Sequence, residues 1–287
     1  MNGYTWSGIV RVVRSINDMR NVIADWRRTG ATVGLVPTMG GVHAGHLSLI
    51  RVAGEHSDQV IATLFVNPSQ FSLDEDFDAY PRDEDKDLQM FGEAGASLLF
   101  APPIEEIYPA GHVTKVHVEG LSSLLEGKFR PQYLTGVSTV VSKLLIQAMA
   151  DVAVFGEKDY QQLQVIRRMA RDLDIPTVIL GAPTIREYDG LAMSSRNRYL
   201  SAAERPHAGR LFSAISDIAR ATAEGADPIP LCNAAERRLI ESGFRQVDYI
   251  TVRDANTLEQ YRGPGTPGRV LAAAWLGKAR LIDNLDV

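Results

Sequence analysis

Residues 32–46, which read TVGLVPTMGGVHAGH, are followed by LSLIRVAGEH up to residue 56. The apolar run 32–37 predicts a buried strand, and the apolar spacing after residue 45 predicts a helix up to residue 56. A proline and two glycines lie between them, as expected where a chain turns sharply. The stretch therefore predicts a strand, a glycine turn and a helix in succession, the unit from which parallel α/β sheets are built.

Apolar runs alternate with amphipathic stretches through the rest of the first two thirds of the chain. This alternation predicts a doubly wound α/β core with parallel strands and crossover helices. The further predicted strands are 60–66, 97–100, 113–118, 152–155 and 177–180. A further helix is predicted to start at Pro81, with an acidic first turn, and to end near residue 95. Two more helices are predicted over 137–149 and 160–173.

The pattern changes after about residue 186. We predict a long helix over 201–224, a proline-punctuated connection at 227–230 and another helix up to residue 241. Three short strands follow, at 247–252, 269–275 and 279–283, with a turn at 263–268. These elements predict a smaller α+β domain at residues 186–287, behind a larger domain at residues 1–185.

Composition limits the class of protein. Of the 287 residues, 45% are hydrophobic and 23% are charged, which is typical of a globular protein. The formal net charge of −5 favours neither nucleic acid nor an anionic membrane as a partner. The first residues lack a signal-peptide pattern and no apolar run is long enough to span a bilayer, so we expect a cytoplasmic protein. The single cysteine, Cys232, excludes an internal disulfide and is expected to be a small buried apolar residue.

The strongest chemical signal is the His-x-Gly-His pattern at His43 and His46, placed where a strand gives way to a helix. Backbone N–H groups and imidazoles can converge on one anion at such a helix N-terminus, and polyphosphate is the natural candidate. The two alternatives are a turn with two surface histidines, and a zinc site. A zinc site is disfavoured because the pair lacks a convincing third ligand.

Three further segments could bind a nucleotide or a small acid. Ser194, Ser195 and Arg196 could hydrogen-bond and neutralise phosphate oxygens, although such a run is commonly a helix cap. Lys158 could hold a phosphate, and the neighbouring Asp159 could accept from ribose or simply cap a helix. Gln70 and Gln162 suit a hydroxy acid because an amide both donates and accepts, although a single glutamine is more often plain polar surface.

These segments resemble the pantothenate synthetase family, within the His-x-Gly-His nucleotidyltransferase superfamily, over nearly the whole chain. The resemblance implies a Rossmann-like nucleotide domain, a smaller C-terminal domain that closes over the site, a homodimer, and a requirement for Mg²⁺. The matching segments are VPTMG at 36–40, the two histidines, FVNPSQF at 65–71, YPR at 80–82, FGEKDYQQ at 155–162, MSSRN at 193–197 and AAWLGKARLIDN at 273–284.

The resemblance also assigns residues to ligands. ATP is expected on Met39, Gly40, His43, Gly45, His46, Gly156, Lys158, Asp159, Ile185, Met193, Ser194, Ser195 and Arg196. Pantoate is expected on Gln70 and Gln162, with Gln70 also near β-alanine and with Asn67 and Tyr80 completing the pocket wall. His46 is the expected proton donor, and His43, Lys158, Ser194, Ser195 and Arg196 would help it to neutralise developing charge.

Magnesium usually keeps several waters and few protein ligands, so only one carboxylate, Asp87, is predicted to bind it. The acidic run around Asp87 is equally typical of a solvated helix start. Two departures from the family pattern lie nearby: Lys86 stands where relatives often carry an acid, and Tyr133 replaces a histidine. Tyrosine cannot become cationic near neutral pH, so substrate affinity or pH dependence is expected to differ. Arg130 remains as a partner for phosphate or carboxylate.

The reaction that the resemblance implies has two steps. Pantoate is activated by ATP as an adenylate with release of pyrophosphate, and β-alanine then attacks the acyl carbon, giving pantothenate and AMP. Two other readings of the sequence remain open. One is an adenylyl or cytidylyl transferase of the same superfamily, and the other is a non-catalytic relative that binds nucleotide or tRNA.

Overall fold

The computed structural model describes residues 10–71, 77, 80 and 82–287. The expected helix start at Pro81 and the interpretation of residues 1–9 lie outside these ranges. The chain divides into two compact units. The N-terminal unit comprises the described parts of Met1–Glu157 together with Val165–Ala182, and the C-terminal unit comprises Lys158–Gln164 and Pro183–Val287. A domain boundary at residue 185 stays a prediction.

The strands and helices lie along the chain as follows. The strands are β1 (Arg11–Val13), β2 (Val33–Val36), β3 (Gln59–Thr63), β4 (Leu98–Phe100), β5 (Val152–Gly156), β6 (Val178–Ala182), β7 (Gln246–Asp254), β8 (Gly268–Leu276) and β9 (Ala279–Asp286). The helices are α1 (Ile16–Arg28), α2 (Ala44–His56), α3 (Glu84–Ala94), α4 (Ile104–Ile107), α5 (Glu126–Phe129), α6 (Tyr133–Ala148), α7 (Tyr160–Asp172), α8 (Arg205–Ala208), α9 (Arg210–Ala223) and α10 (Pro228–Glu241).

The N-terminal unit is built on a six-stranded sheet in the order β1-β4-β3-β2-β5-β6, with every pair parallel. The predicted doubly wound parallel sheet is therefore confirmed. All four residues of β2 are buried, as expected for a central strand covered on both faces. The chain runs from β2 outward to β3 and β4, and later returns to add β5 on the other side of β2. The carboxyl ends of β2 and β5 thus flank the topological switch point, where open α/β sheets bind ligands.

The strand predicted over 113–118 is wrong. These residues form neither a helix nor a strand, and Val113 is 87% exposed. The backbone N–H of Val116 donates instead to Thr139 Oγ1 on α6, at 3.0 Å. An apolar run becomes a strand only where another strand can pair with it, and within the described residues none does so here.

Two elements at the start of the chain, β1 and α1, were not predicted. The three residues of β1 are too few to show a period, although β1 pairs in register with β4. Ser15 begins α1 as its N-cap, accepting a hydrogen bond from the backbone N–H of Asp18 at 3.0 Å.

The C-terminal unit contains a three-stranded antiparallel sheet in the order β7-β8-β9, which confirms the predicted α+β domain. Its core includes Ile215 of α9, Leu239 of α10 and Val270 of β8. The single long helix predicted over 201–224 is wrong, because the chain forms α8 and α9 with a break at Gly209. Pro206 lies in the first turn of α8, where a helix begins rather than continues. A Cβ at Gly209 would lie 2.6 Å from the Asp189 carbonyl oxygen, so a side chain does not fit at the break between the two helices.

The prolines at 228 and 230 do not form a connection as predicted. They lie inside the first turn of α10, where proline is tolerated because its missing N–H has no partner there. Asp227 caps that turn by accepting from Ile229 N–H at 2.9 Å. Each helix in the described ranges is too short or too polar to cross a lipid bilayer.

Candidate active site

The N-terminal unit gathers several predicted site residues at one edge of its sheet. The strands β3, β2 and β5 are adjacent and parallel, so their carboxyl ends lie at the same edge. The loop 37–43 follows β2, the segment 64–71 follows β3, and Gly156 is the last residue of β5. The His-x-Gly-His segment, the Asn67–Gln70 segment and Gly156 therefore share the edge at which the switch point lies.

His43 and His46 form the N-terminal cap of α2. The backbone of His43 is extended, and its Nδ1 accepts a hydrogen bond from Gly45 N–H at 3.2 Å. Nδ1 of His46 accepts from His43 N–H at 3.4 Å, and the two ring centroids lie 4.1 Å apart. A neutral imidazole that accepts at Nδ1 carries its hydrogen on Nε2. Both rings are therefore held in a tautomer whose donor is Nε2–H, at a helix N-terminus that favours anions.

The glycine turn before these histidines is braced by Asp87 of α3. Gly40 and Gly41 have positive φ angles of 86° and 64°, which only glycine adopts readily. The two oxygens of Asp87 accept from Gly41 N–H and Val42 N–H, both at 2.9 Å. Burial raises the pKa of the Asp87 carboxyl, and the two backbone hydrogen bonds oppose that rise. Tyr80 adds a weaker contact, since its hydroxyl donates to Gly40 O at 3.4 Å.

Asn67 organises the segment that follows β3. Its side-chain amide is 1% exposed and donates to Gln70 Oε1 at 3.0 Å and to Gly136 O at 3.1 Å. Its Oδ1 accepts from the hydroxyls of Ser69 and Tyr108, each at 2.8 Å. Asn67 thus holds the short helical turn that carries Gln70, and its place in the pocket wall stays a prediction.

Gln70 connects several of the predicted residues. Its Nε2 lies 2.9 Å from Met39 Sδ, and its backbone carbonyl accepts from Arg130 Nη2 at 3.4 Å. The Arg130 guanidinium lies over the ring of Tyr133, 3.7 Å from its centroid, which is a cation–π contact. The residue that departs from the family pattern therefore contacts a predicted binding residue directly.

The C-terminal unit holds the remaining predicted residues in two segments. In the first, Lys158 is largely buried, and its Nζ lies 3.6 Å from Asp159 Oδ1. Gln162 lies in the first turns of α7 and is half-buried. These three side chains belong to one short segment, Lys158–Gln164.

The second segment is a small hairpin with the turn that follows it. Ile185 O accepts from Met193 N–H at 2.9 Å, so these two predicted residues are neighbours. Ser194 then caps a single 3₁₀ turn over Ser195–Tyr199 by accepting from Arg196 N–H at 3.2 Å. The helix cap that the sequence offered as an alternative role for this run is therefore present. The cap fixes the conformation of the loop. The phosphate-binding role of Ser194, Ser195 and Arg196 stays a prediction.

Sequence reasoning missed Tyr108 as a member of this site. Its hydroxyl lies within hydrogen-bonding distance of Asn67 and Ser69, and burial raises its pKa. No local motif marks Tyr108, since it lies 41 residues from Asn67 in the chain. Within the described ranges no three His, Cys, Asp or Glu side chains lie together as a metal site.

Comparison with known proteins identifies the family of this chain. The family model for pantoate-beta-alanine ligase matches residues 11–286. A pantothenate synthetase from Caulobacter vibrioides is 54% identical over 96% of this chain and 98% of its own length. A second, from Paramagnetospirillum magneticum, is 52% identical over 98% of this chain and 99% of its own length.

Solved structures give the same result. Pantothenate synthetase from Thermus thermophilus superposes with a TM-score of 0.88 at 42% identity, covering 96% of this chain and 99% of that one. A pantoate-beta-alanine ligase from Francisella tularensis, complexed with beta-gamma ATP and beta-alanine, gives a TM-score of 0.81 at 30% identity. It covers 96% of this chain and 97% of that one. The chain therefore belongs to the pantothenate synthetase, or pantoate–β-alanine ligase, family.

Proposed function

We propose that this protein ligates pantoate and β-alanine to form pantothenate, at the expense of ATP cleaved to AMP and pyrophosphate. The observation that carries this proposal is the pair His43 and His46 on the N-terminus of α2, at the carboxyl edge of the parallel sheet. The backbone N–H groups of His43 and Gly45 donate to the two imidazoles, so the groups proposed to attract an anionic ligand there are the two Nε2–H donors and the positive end of the helix dipole. The Francisella ligase, complexed with an ATP ligand and beta-alanine, supports the same assignment.

In the first proposed step the carboxylate of pantoate attacks the α-phosphorus of ATP, and pyrophosphate leaves. The enzyme supplies no nucleophile, so its task is to position the reactants and to neutralise charge. His46 donates through Nε2–H to the phosphate oxygens as the bond to pyrophosphate breaks, and His43 assists it. Lys158 and Arg196 add positive charge, and Ser194 and Ser195 add hydroxyl donors.

The same proposal places the other predicted ATP contacts around the nucleotide. They are Met39, Gly40, Gly45, Gly156, Asp159, Ile185 and Met193.

Pantoate is proposed to lie against Gln70 and Gln162. Asn67 holds Gln70 in place, and Arg130 offers a cation to a carboxylate or phosphate. Asn67 and Tyr80 are proposed to complete the pocket wall. In the second step the amine of β-alanine attacks the acyl carbon, and the C–O bond to AMP breaks, so that phosphorus stays on the nucleotide.

Magnesium is proposed to be bound mainly by the ATP phosphates, which suits an ion that keeps few protein ligands. The donor set available to it in the protein is small, because both oxygens of Asp87 already accept backbone N–H groups. A carboxylate oxygen has a second lone pair, so Asp87 remains the proposed protein ligand. When bound, the ion would offset the negative charge of the phosphates.

We also propose a cytoplasmic homodimer that binds only small molecules, with neither nucleic acid nor membrane as a partner. The family resemblance and the net charge of −5 support this proposal. Sedimentation velocity should give about twice the mass of one chain. A single species of monomer mass across the micromolar range would contradict the dimer.

The deciding experiment is exchange of labelled pyrophosphate into ATP. Because activation of pantoate precedes attack by the amine, exchange is expected with pantoate present and β-alanine absent. Adding β-alanine should then release AMP and pantothenate. Exchange that does not depend on pantoate would favour a nucleotidyltransferase for another substrate, and a lack of exchange with every acid tried would favour a binding-only relative. Release of ADP would overturn the adenylate route.

A further inference from the structure

The segment Lys158–Gln164 packs with the C-terminal unit, although β5 immediately before it belongs to the N-terminal unit. It carries Lys158, Asp159 and Gln162, three residues proposed to bind ATP or pantoate. Its covalent link to β5 therefore does not explain what holds this segment in place. The contacts that do so come from β8, β9 and the turn after β7, far later in the chain.

Asn284 of β9 makes the direct contact. Its side chain donates through Nδ2 to the Lys158 carbonyl oxygen at 2.9 Å. Its Oδ1 accepts from Arg269 Nε at 2.7 Å. Since an arginine nitrogen only donates and a carbonyl only accepts, the orientation of the Asn284 amide is fixed by its two partners. Asn284 is 3% exposed, so this hydrogen bond is shielded from water.

Arg269 ties the same segment at a second point. Its guanidinium lies 3.9 Å from the centroid of the Tyr160 ring, and it pairs with Asp286. The Tyr160 hydroxyl in turn donates to Ala255 O at 2.9 Å. The backbone at Lys158 and the ring at Tyr160 are thus both attached to the C-terminal sheet and the turn beside it.

The neighbouring residue of β9, Asp283, holds the other predicted phosphate-binding segment. Its two oxygens accept from Arg186 Nη1 and Nη2 at 2.6 and 2.9 Å. Asp283 is 4% exposed, so this bidentate pair is buried. Arg186 begins the hairpin that leads to Ser194 and Arg196. Two consecutive residues of β9 therefore anchor the two segments that bring positive charge to the proposed site.

We infer that Asn284 is a positioning residue that fixes the backbone of Lys158 and so directs its ammonium group to the phosphates of ATP. This inference rests on the proposed function. Lys158 is the residue proposed to contact the nucleotide, and Asn284 is proposed to act on ATP binding mainly through the Lys158 backbone. The loss caused by changing Asn284 should therefore depend on the presence of the Lys158 side chain.

The test is a double-mutant cycle with Asn284→Asp and Lys158→Ala, measured by pantoate-dependent pyrophosphate exchange. Asn284→Asp keeps the size of the side chain but puts an acceptor opposite the Lys158 carbonyl. We expect kcat/KM for ATP to fall by about tenfold or more, because small errors in placing a charged group are costly. The KM for pantoate should change less. In the Lys158→Ala background the same substitution should have almost no further effect on kcat/KM for ATP.

Asn256→Asp, on an exposed turn of the same unit, is the matched control and should keep wild-type kinetics. If Asn284→Asp does not fold, Arg269→Lys replaces it in the cycle, since it removes the Nε donor and keeps the charge. Unchanged kinetics in a folded variant, or losses that add fully with Lys158→Ala, would overturn the positioning role. Absence of exchange in the wild-type enzyme would instead overturn the proposed function.

Discussion

At the scale of single residues, His46 is the residue proposed to act most directly in the chemistry. We predict that His46→Ala lowers turnover by about a hundredfold or more, as expected for loss of a donor to the transition state. The measurement is steady-state AMP release, with circular dichroism to show that the variant is folded. His56→Ala is the control, because His56 lies exposed at the other end of α2 and should be neutral. Near-normal turnover of a folded His46→Ala protein would remove this residue from the mechanism.

Tyr133 permits a second prediction, because the Arg130 guanidinium lies 3.7 Å from its ring centroid. In Tyr133→His the neutral imidazole would be favoured beside this cation, so its pKa should fall below the ordinary value of about 6.5. Protonation at lower pH would then repel Arg130 and add a new inflection to the profile of kcat/KM against pH. Tyr133→Phe, which cannot titrate, should keep the wild-type profile. Identical profiles for the histidine variant and the wild type would contradict this.

At the scale of elements, the contact between α3 and the glycine turn can be tested through Asp87. Asp87→Asn keeps the shape but places an NH₂ group opposite one of the two backbone donors, Gly41 N–H or Val42 N–H. We expect the free energy of unfolding to fall by about 1–3 kcal/mol, the usual cost of a buried donor without an acceptor. Pyrophosphate exchange should fall with it, because the turn before His43 loses a brace.

For Asp87→Asn, urea denaturation measures the free energy of unfolding. The rate of pyrophosphate exchange is measured across a magnesium titration. Asp85→Asn, exposed in the same first turn of α3, is the matched control and should change neither quantity. Unchanged stability, with activity restored by added magnesium, would assign Asp87 to the metal rather than to the turn.

The sequence predicted elements well where the signal is local. The strand β2 is apolar throughout because it is buried on both faces, and α2 follows the glycine turn as expected. The strand at 113–118 failed because its apolar pattern has no neighbouring strand to pair with among the described residues. The break at Gly209 was also missed, although Pro206 and Gly209 itself are breaker residues within the helical pattern of 201–224.

The same limit applies to the candidate site. The sequence identified residues such as His46 and Gln70 by their motifs. The functional roles assigned to these residues stay predictions. It could not identify their partners, because those lie far away in the chain. Asp87 is 46 residues from Gly41, Tyr108 is 41 residues from Asn67, and Asn284 is 126 residues from Lys158. Such pairs are fixed by packing, and single-sequence patterns do not record them.

At the scale of the whole molecule, the single cysteine reports on folding of the C-terminal unit. Cys232 is buried in the core of that unit, and burial raises its pKa to about 11. We predict that the native protein is not alkylated by iodoacetamide at about pH 8, since the thiolate is scarce and inaccessible. In denaturing urea one equivalent should react, as mass spectrometry would show. Rapid labelling of the folded protein would contradict the buried position.

The order of strands in the parallel sheet also affects how the chain folds while it is being translated. The strands β1, β4, β3 and β2 are complete once residue 100 has been made, but β5 must still reach the open edge of β2. Roughly fifty residues separate β4 from β5, so translation at about 5–20 residues per second leaves that edge uncovered for about 3–10 s. An uncovered strand edge is a template for wrong pairing. We therefore expect wrong pairing to be the greatest risk to the nascent chain in that interval, whereas β7, β8 and β9 are close in sequence and are expected to pair soon after they emerge.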